Sequence, residues 1–328
     1  MKIAIIGTGL YSTALTYQLQ KRKDNDIYLW TEQESLISKF NKSHKFEFLS
    51  KKAKFDSNVY LSNDYSTVLE DASIIFILVS SQFFKSTLSN IKPFYKKNTP
   101  IFVGTKGIDL ETSTFFSDYT RKYLKCNSYT FFAGPTFASD LILEGPSYLT
   151  FAGSNQIGYK KLNRVLPETF EYQFTTDLHG LELCSVLKNI YAIGSGILNG
   201  LKVSDSVYYG YLTKITKELQ TIIPKIWGEK DTLLTYGGIG DLLMTTNSKT
   251  SRNFTFGYKI GSKVSQEEKA KYIKENTIEG YLNLQLILKF LNKWKIKNSM
   301  IEKIYQIVIN EANPIILYDQ TIEKNEIF

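Results

Sequence analysis

The chain has 328 residues, 43% hydrophobic and 22% charged, the make-up of a globular chain long enough for two cores. Two cysteines and two histidines form no CxxC or HxxxH pair, which argues against a zinc site, a disulfide scaffold or a histidine-based catalyst. The net charge of +8 calls for anionic partners, but the basic residues fall in short groups between acidic ones, so phosphorylated small molecules are favoured over nucleic acid.

Taken in chain order, "KIAIIG" is a strand and "STALTYQLQKR" a helix, followed by a second strand, "DIYLW". The apolar "ASIIFILVS" has the pattern of a buried parallel strand, and "PIFVGT" and "YTFFAGP" are two more that end in Gly or Pro turns. "SYLTFAG" and "FEYQFTT" extend the sheet. Strands alternating with helices imply a doubly wound, mostly parallel sheet. After Asp177 the pattern is helical, over residues 181–199, 208–227, 266–290 and 296–309. The expected division is therefore 1–179, an α/β domain, and 180–328, an all-α domain. The longest clean apolar run, "IIFILV", is far short of the ~20 residues a membrane helix needs, so no membrane insertion is expected. The opening "MKIAIIGTGL" has one Lys and an apolar run, yet it breaks into a glycine turn with no small-residue cleavage pattern. A cytoplasmic protein is expected.

The first strand turns at Gly7-Thr8-Gly9 into a helix, with G-x-G-x-x-S spacing and Ser12 where a dinucleotide fingerprint has its third glycine. Gly7 permits the tight turn, and Gly9 lets backbone approach a pyrophosphate. With a strand before it and a helix after it, the run points to a Rossmann-type dinucleotide site. Glu32 closely follows the second strand, where a carboxylate accepts from a ribose 2′-OH and repels a 2′-phosphate, a hint of NAD over NADP. An exposed Glu after a strand is also common without any such role.

Lys106 follows a buried strand between Gly104 and Gly107, and "FAGPTFASDL" makes a similar strand-end turn with backbone amides at Gly134, Thr136 and Ala138. In open α/β sheets such ends face the ligand crevice. In "LELCSVLKNIYAIGSG", Lys188 sits inside an apolar helix with Cys184 and Ala192 one turn away. Either its head snorkels to water, or the helix holds an ammonium in a dry site that lowers its pKa. "YGGIGDLLMTTNSKTSRN" gathers hydroxyls, amides and one Arg, which suit either a phosphate or a solvated loop.

Together these runs resemble the NAD(P)-dependent glycerol-3-phosphate dehydrogenase family. That family's motifs read here G-T-G-L-Y-S-T-A (7–14), T-K-G (105–107), G-P-T-F-A-S-D (134–140), L-K-N (187–189), G-D-L-L-M-T (240–245) and S-R-N (251–253). "NTIEG" (276–280) looks like its later V-x-E-G segment, and the ordered set spans nearly the whole chain. Departures are Tyr11 for Trp, Ser12 for Gly, Thr136 for Ser, Ser80 for Pro, Lys85 for Arg, Asn199 for Asp, and Ser204-Asp205-Ser206 for G-[DE]-N. They bear on cofactor affinity and coenzyme preference more than on the reaction.

The resemblance implies reversible hydride transfer between NAD(P)H and dihydroxyacetone phosphate, giving sn-glycerol 3-phosphate, a precursor of glycerophospholipids. It makes Lys188 the proton donor, Asp241 the carboxylate that tunes it, and Lys106 a second positive charge near the developing alkoxide. Asn189 orients a substrate hydroxyl, and Ser251, Arg252 and Asn253 hold the phosphate. Gly134, Thr136, Thr245 and Lys106 complete the implied substrate set. On the cofactor side stand Gly7, Gly9, Leu10, Tyr11, Glu32, Lys106, Ala138, Arg252, Thr277 and Glu279. No metal is implied, and a homodimer is. Two other readings compete. One is a different two-domain dehydrogenase, of ketopantoate reductase or 3-hydroxyacid type, which lacks the G-D-L-x-x-T…S-R-N run. The other is a non-catalytic nucleotide-binding relative, motivated by Tyr11, Ser12 and Ser80.

Overall fold

Short β-branched and aromatic runs, each followed by a helix, build the first unit of the computed structural model, Met1–Lys106 with Phe116–Leu178. The structure describes residues 1–50, 53–109, 111–143, 145–297 and 299–318. In chain order come β1 (Lys2–Ile6), α1 (Leu10–Leu19), β2 (Asp26–Trp30), α2 (Glu34–Ser43), β3 (Val59–Ser62), α3 (Tyr65–Leu69), β4 (Ile74–Ile77), α4 (Phe84–Ile91) and β5 (Ile101–Val103). After a separate antiparallel pair, β6 (Ile108–Asp109) and β7 (Thr114–Phe115), follow α5 (Phe116–Leu124), β8 (Tyr129–Ala133), α6 (Ala138–Ile142), β9 (Ser147–Ala152), α7 (Gln156–Val165) and β10 (Phe170–Thr175).

Eight of these strands form one sheet in the order β10-β9-β8-β5-β4-β1-β2-β3. Its ladders are parallel except β8 with β9. The central strands are buried along their length, which is why they read as continuous apolar runs. Within this eight-stranded sheet, β3, "VYLS", is the strand that the sequence reading does not include. From β1 the chain winds through β2 and β3 to one edge, then crosses to β4 on the other side of β1. The switch point of the topology therefore lies between β1 and β4, where such sheets bind ligands. Asp64 caps α3 by accepting from the Ser66 and Thr67 amides, both at 3.0 Å. Their hydroxyls also donate to it, and these bonds hold the carboxyl well below the usual range.

The second unit comprises Gly107–Phe115 and His179–Phe328. Its helices are α8 (Leu178–Gly200), α9 (Asp205–Ile222), α10 (Asp241–Asn247), α11 (Arg252–Gly261), α12 (Gln266–Glu275), α13 (Glu279–Lys293) and α14 (Ser299–Ile309). Two features differ from the expected division. Residues 107–115 group with the helices, because Ile108 and Phe115 are buried in the helical core and the Phe115 ring stacks on His179 at 4.6 Å. The unit is thus helical with one small β-pair. The single helix expected over 266–290 is two, α12 and α13, parted at Asn276–Ile278 where Asn276 and Ile278 leave helical backbone.

Helix α8 is apolar on every side and is the centre of the unit's core, packing Leu183, Leu187, Ile190 and Ile197 with Ile215, Leu219, Ile287 and Ile304. By length and composition α8 could cross a membrane, yet all of its most apolar stretch is buried inside the fold. It runs parallel to α11 in close backbone contact. A Cβ on Gly257 would strike the Ile193 carbonyl, one on Gly261 the Ile197 carbonyl, and one on Gly196 the Phe254 carbonyl. Small residues one turn apart on both helices make that approach possible.

Candidate active site

On α8, Lys188 is 4% exposed, with buried Cys184 and Ala192 one turn to either side. Snorkelling is therefore not what its side chain does. Its ammonium forms an ion pair with Asp241 Oδ1 and donates to Thr245 Oγ1 at 3.1 Å. Thr245 is held by its own helix. Its hydroxyl donates to the Asp241 carbonyl one turn back at 2.6 Å, which turns its lone pairs toward Lys188. Asp241 opens α10 directly after the Tyr236–Gly240 turn, where glycines let the chain fold tightly under it. Its Oδ2 is buried and has no hydrogen-bond partner among the described residues. A buried carboxylate oxygen without a donor is costly, so this atom has unmet capacity to accept a hydrogen bond.

Beside this pair runs a chain of amides. Glu279 Oε2 accepts from Asn189 Nδ2 at 3.1 Å, Asn189 Oδ1 accepts from Asn253 Nδ2 at 3.0 Å, and Asn253 Oδ1 accepts from the Gly280 amide at 2.8 Å. Asn189 and Asn253 are 4% and 8% exposed. Ser251 is the N-cap of α11, its Oγ accepting from the Phe254 amide at 3.3 Å. The adjacent Arg252 is exposed, and its guanidinium makes no hydrogen bond or ion pair among the described residues. The second unit thus brings together Lys188, Asp241 and Thr245 in one cluster, and Asn189, Asn253 and Glu279 in another. Thr277 lies half-buried in the break before α13.

In the first unit, Gly7 has φ +112°, and a Cβ there would lie 2.7 Å from the Leu78 carbonyl at the end of β4. Gly9 is the N-cap of α1 without a side-chain cap, and nothing stands within 4 Å of where its Cβ would project. An uncapped helix start with open space above it, at the switch point of the sheet, fits a dinucleotide pyrophosphate. Ser12 is buried where the third glycine is expected, and its hydroxyl donates to the Gly9 carbonyl at 2.9 Å, so the turn accommodates it. Leu10 is exposed at the helix start, with Tyr11 half-buried behind it.

Glu32 is exposed two residues past β2. Its neighbour Thr31 accepts from Thr8 Oγ1 at 2.9 Å, which ties the end of β2 to the glycine turn. The Trp30 and Tyr65 rings stack here at 4.3 Å, a pairing that sequence spacing does not reveal. Burial raises the Tyr65 phenol pKa, and the Glu32 charge adds to the rise. Lys106 is half-buried just past β5, next to Thr105, whose hydroxyl bridges to the Val79 backbone. Gly134 packs against β9, since a Cβ there would strike the Tyr148 carbonyl. Thr136 donates to that same carbonyl at 3.2 Å, and Ala138 opens α6. Gly134 and Thr136 therefore have structural work in the first unit. Among the described residues no group of three or more His, Cys, Asp or Glu could hold a metal ion.

A family model described as NAD-dependent glycerol-3-phosphate dehydrogenase N-terminus matches residues 2–158, and its C-terminal counterpart matches residues 177–319. The chain is 29% identical over 320 residues to the glycerol-3-phosphate dehydrogenase [NAD(P)+] of Mesoplasma florum, covering 96% of this chain and 95% of that one. The crystal structure of glycerol-3-phosphate dehydrogenase from Coxiella burnetii superposes with a TM-score of 0.89 at 26% identity, covering 98% of both chains. A ketopantoate reductase from Ralstonia eutropha, 13% identical, superposes at 0.56 over 90% of this chain and all of its own, a likeness of fold alone.

A glycine turn at the switch point of a Rossmann-type sheet, joined in one chain to a helical unit, defines an NAD(P)-dependent oxidoreductase. The two family models cover most of the chain between them, and the chain belongs to the NAD-dependent glycerol-3-phosphate dehydrogenase family.

Proposed function

We propose that the protein reduces dihydroxyacetone phosphate to sn-glycerol 3-phosphate, reversibly, with Lys188 as the proton donor. The observation that carries this reading is the buried Lys188–Asp241–Thr245 cluster with its unsatisfied Asp241 Oδ2. Reducing a ketone needs a hydride at carbon and a proton at oxygen, and NAD(P)H supplies the hydride when bound. Lys188 delivers the proton to the carbonyl oxygen. Asp241 and Thr245 fix Nζ in one place, so little reorganisation is needed at the moment of transfer. Asn189 orients the substrate hydroxyl, and Asp241 Oδ2, one of several buried polar atoms without a hydrogen-bond partner among the described residues, stands ready to accept from a ligand donor. The exposed Arg252 fork and the Asn253 amide take the phosphate. In the first unit Gly7, Gly9, Leu10, Tyr11 and Lys106 hold the dinucleotide, and Glu32 favours NAD by repelling a 2′-phosphate.

The product is a precursor of glycerophospholipids, and the proposed setting is a cytoplasmic homodimer. The test is oxidation of NADH and NADPH by the purified chain with dihydroxyacetone phosphate, with ketopantoate as the competing substrate. Turnover of the triose phosphate alone supports the reading. Turnover of ketopantoate instead, or cofactor binding with no reduction of any ketone phosphate, overturns it.

A further inference from the structure

We propose that Glu279 is a positioning residue: its carboxylate sets the direction of the Asn189 carboxamide, so that Asn189 offers a ligand its oxygen and Asn253 offers an N–H. The substrate part of this inference rests on the function proposed above.

The two ends of the amide chain leave no freedom in its direction. At one end the Gly280 backbone amide can only donate, so the Asn253 atom facing it at 2.8 Å is oxygen. The other carboxamide atom of Asn253 is then nitrogen, and it donates to Asn189 Oδ1 at 3.0 Å. That leaves the Asn189 nitrogen facing Glu279 Oε2 at 3.1 Å and the Ser185 carbonyl at 3.3 Å, both of which can only accept. Turning Asn189 over would set its oxygen against a carboxylate and its NH2 against another NH2. Near-complete burial of both asparagines raises the cost of that mismatch.

Counting donors and acceptors gives the consequence. Both hydrogens of Asn189 Nδ2 are used, and Oδ1 keeps one lone pair, so Asn189 can only accept from a ligand, as from a hydroxyl. Asn253 keeps one Nδ2 hydrogen, so it can donate, as to a phosphate oxygen. Next to Arg252, that places the anion-binding donor on α11 and the hydroxyl acceptor on α8. The arrangement is rigid because α13 starts hard against α8. A Cβ on Gly280 would strike the Asn189 carbonyl and lie 2.9 Å from Asn253 Oδ1. The resemblance to the family gives Glu279 a cofactor contact, whereas the geometry gives it a partner in the substrate amides.

The test compares wild type, Glu279→Ala and Glu279→Gln. Glutamine keeps an acceptor oxygen for Asn189, and alanine does not. In Glu279→Ala the KM for dihydroxyacetone phosphate should rise about tenfold, with kcat within roughly threefold and the KM for NADH within about twofold of wild type. Glu279→Gln should restore most of the loss. A rise in the KM for NADH with the substrate KM unchanged overturns the proposal. Side-chain amide NMR gives a second readout that needs no turnover. The Asn189 NH2 protons should exchange slowly in wild type and Glu279→Gln and faster in Glu279→Ala. Equal exchange in all three overturns the positioning role even if the enzyme is active. A wild-type chain that does not reduce the triose phosphate refutes the proposed function, and the exchange data still decide whether Glu279 holds Asn189.

Discussion

The Asn253 carboxamide donates to Asn189 at 3.0 Å across 64 positions of sequence. The same offset sets Gly257 against Ile193 and Gly261 against Ile197, one and two turns further along the parallel helices α8 and α11. The glycine contacts therefore fix the register that puts the two site asparagines together. Packing far from the chemistry decides where the amides meet.

Gly257→Ala should break that register. The new Cβ would overlap the Ile193 carbonyl, and backbone cannot yield as a flexible side-chain end can. The expected loss is about 1–3 kcal/mol of stability, with a raised substrate KM. Gly210→Ala is the control. Gly210 is exposed within α9 with nothing near its Cβ position, so it should gain roughly 0.5–1 kcal/mol from helix propensity. Urea unfolding of both variants checks the pair, and equal effects would refute the register argument.

Lys188→Ala should lower kcat by about 10²–10⁴-fold while NADH still binds. It should also cost roughly 3–5 kcal/mol, because Asp241, with its side chain 1% exposed, would be left as an unpaired buried carboxylate. The double variant Lys188→Met with Asp241→Leu should recover most of the stability and none of the turnover. Full activity in Lys188→Ala would remove Lys188 from the mechanism.

Glu32→Arg should lower the ratio of kcat/KM for NADH over NADPH by about tenfold, by exchanging a repulsive charge for an attractive one near a 2′-phosphate. Glu32 is exposed, so stability should hardly change. An unchanged ratio in steady-state kinetics would mean that Glu32 does not read the ribose.

Asp64 links stability to pH. Hydrogen bonds from Ser66 and Thr67 depress its folded pKa, so the unfolded chain binds the proton more readily. Its contribution is complete above the unfolded value of about 3.9 and is lost as pH falls toward the folded one. Asp64→Asn keeps a capping oxygen but cannot ionise. The stability gap between wild type and Asp64→Asn should be largest near neutrality and close on acidification. A gap that widens in acid would contradict the cap.

Much of the first unit is legible in the sequence, since seven of the eight sheet strands coincide with apolar or β-branched runs and the glycine turn lies at the expected strand end. The strand β3 escaped because four residues with an exposed Tyr60 carry little pattern. Residues 107–115 were misplaced because a two-residue strand pair has no periodicity, and its allegiance depends on where Ile108 and Phe115 are buried. In the second unit Lys188 was conspicuous as a charge inside an apolar helix. The Gly-x-x-x-Gly spacings at 196–200 and 257–261 were equally visible in sequence but had no meaning without a partner helix.

What the sequence by itself determined is local: which segments alternate as strand and helix, where the chain turns on glycine, and which residue types suit a cofactor, a proton and a phosphate. Those properties follow from short-range sterics and periodicity, which one segment carries alone. Tertiary structure alone decided that Asp241 and Thr245 meet Lys188, that Glu279 holds Asn189, and which face each amide turns to a ligand. Such contacts join residues 53 to 90 positions apart, and a hydrogen bond of that span exists only after the helices between have packed.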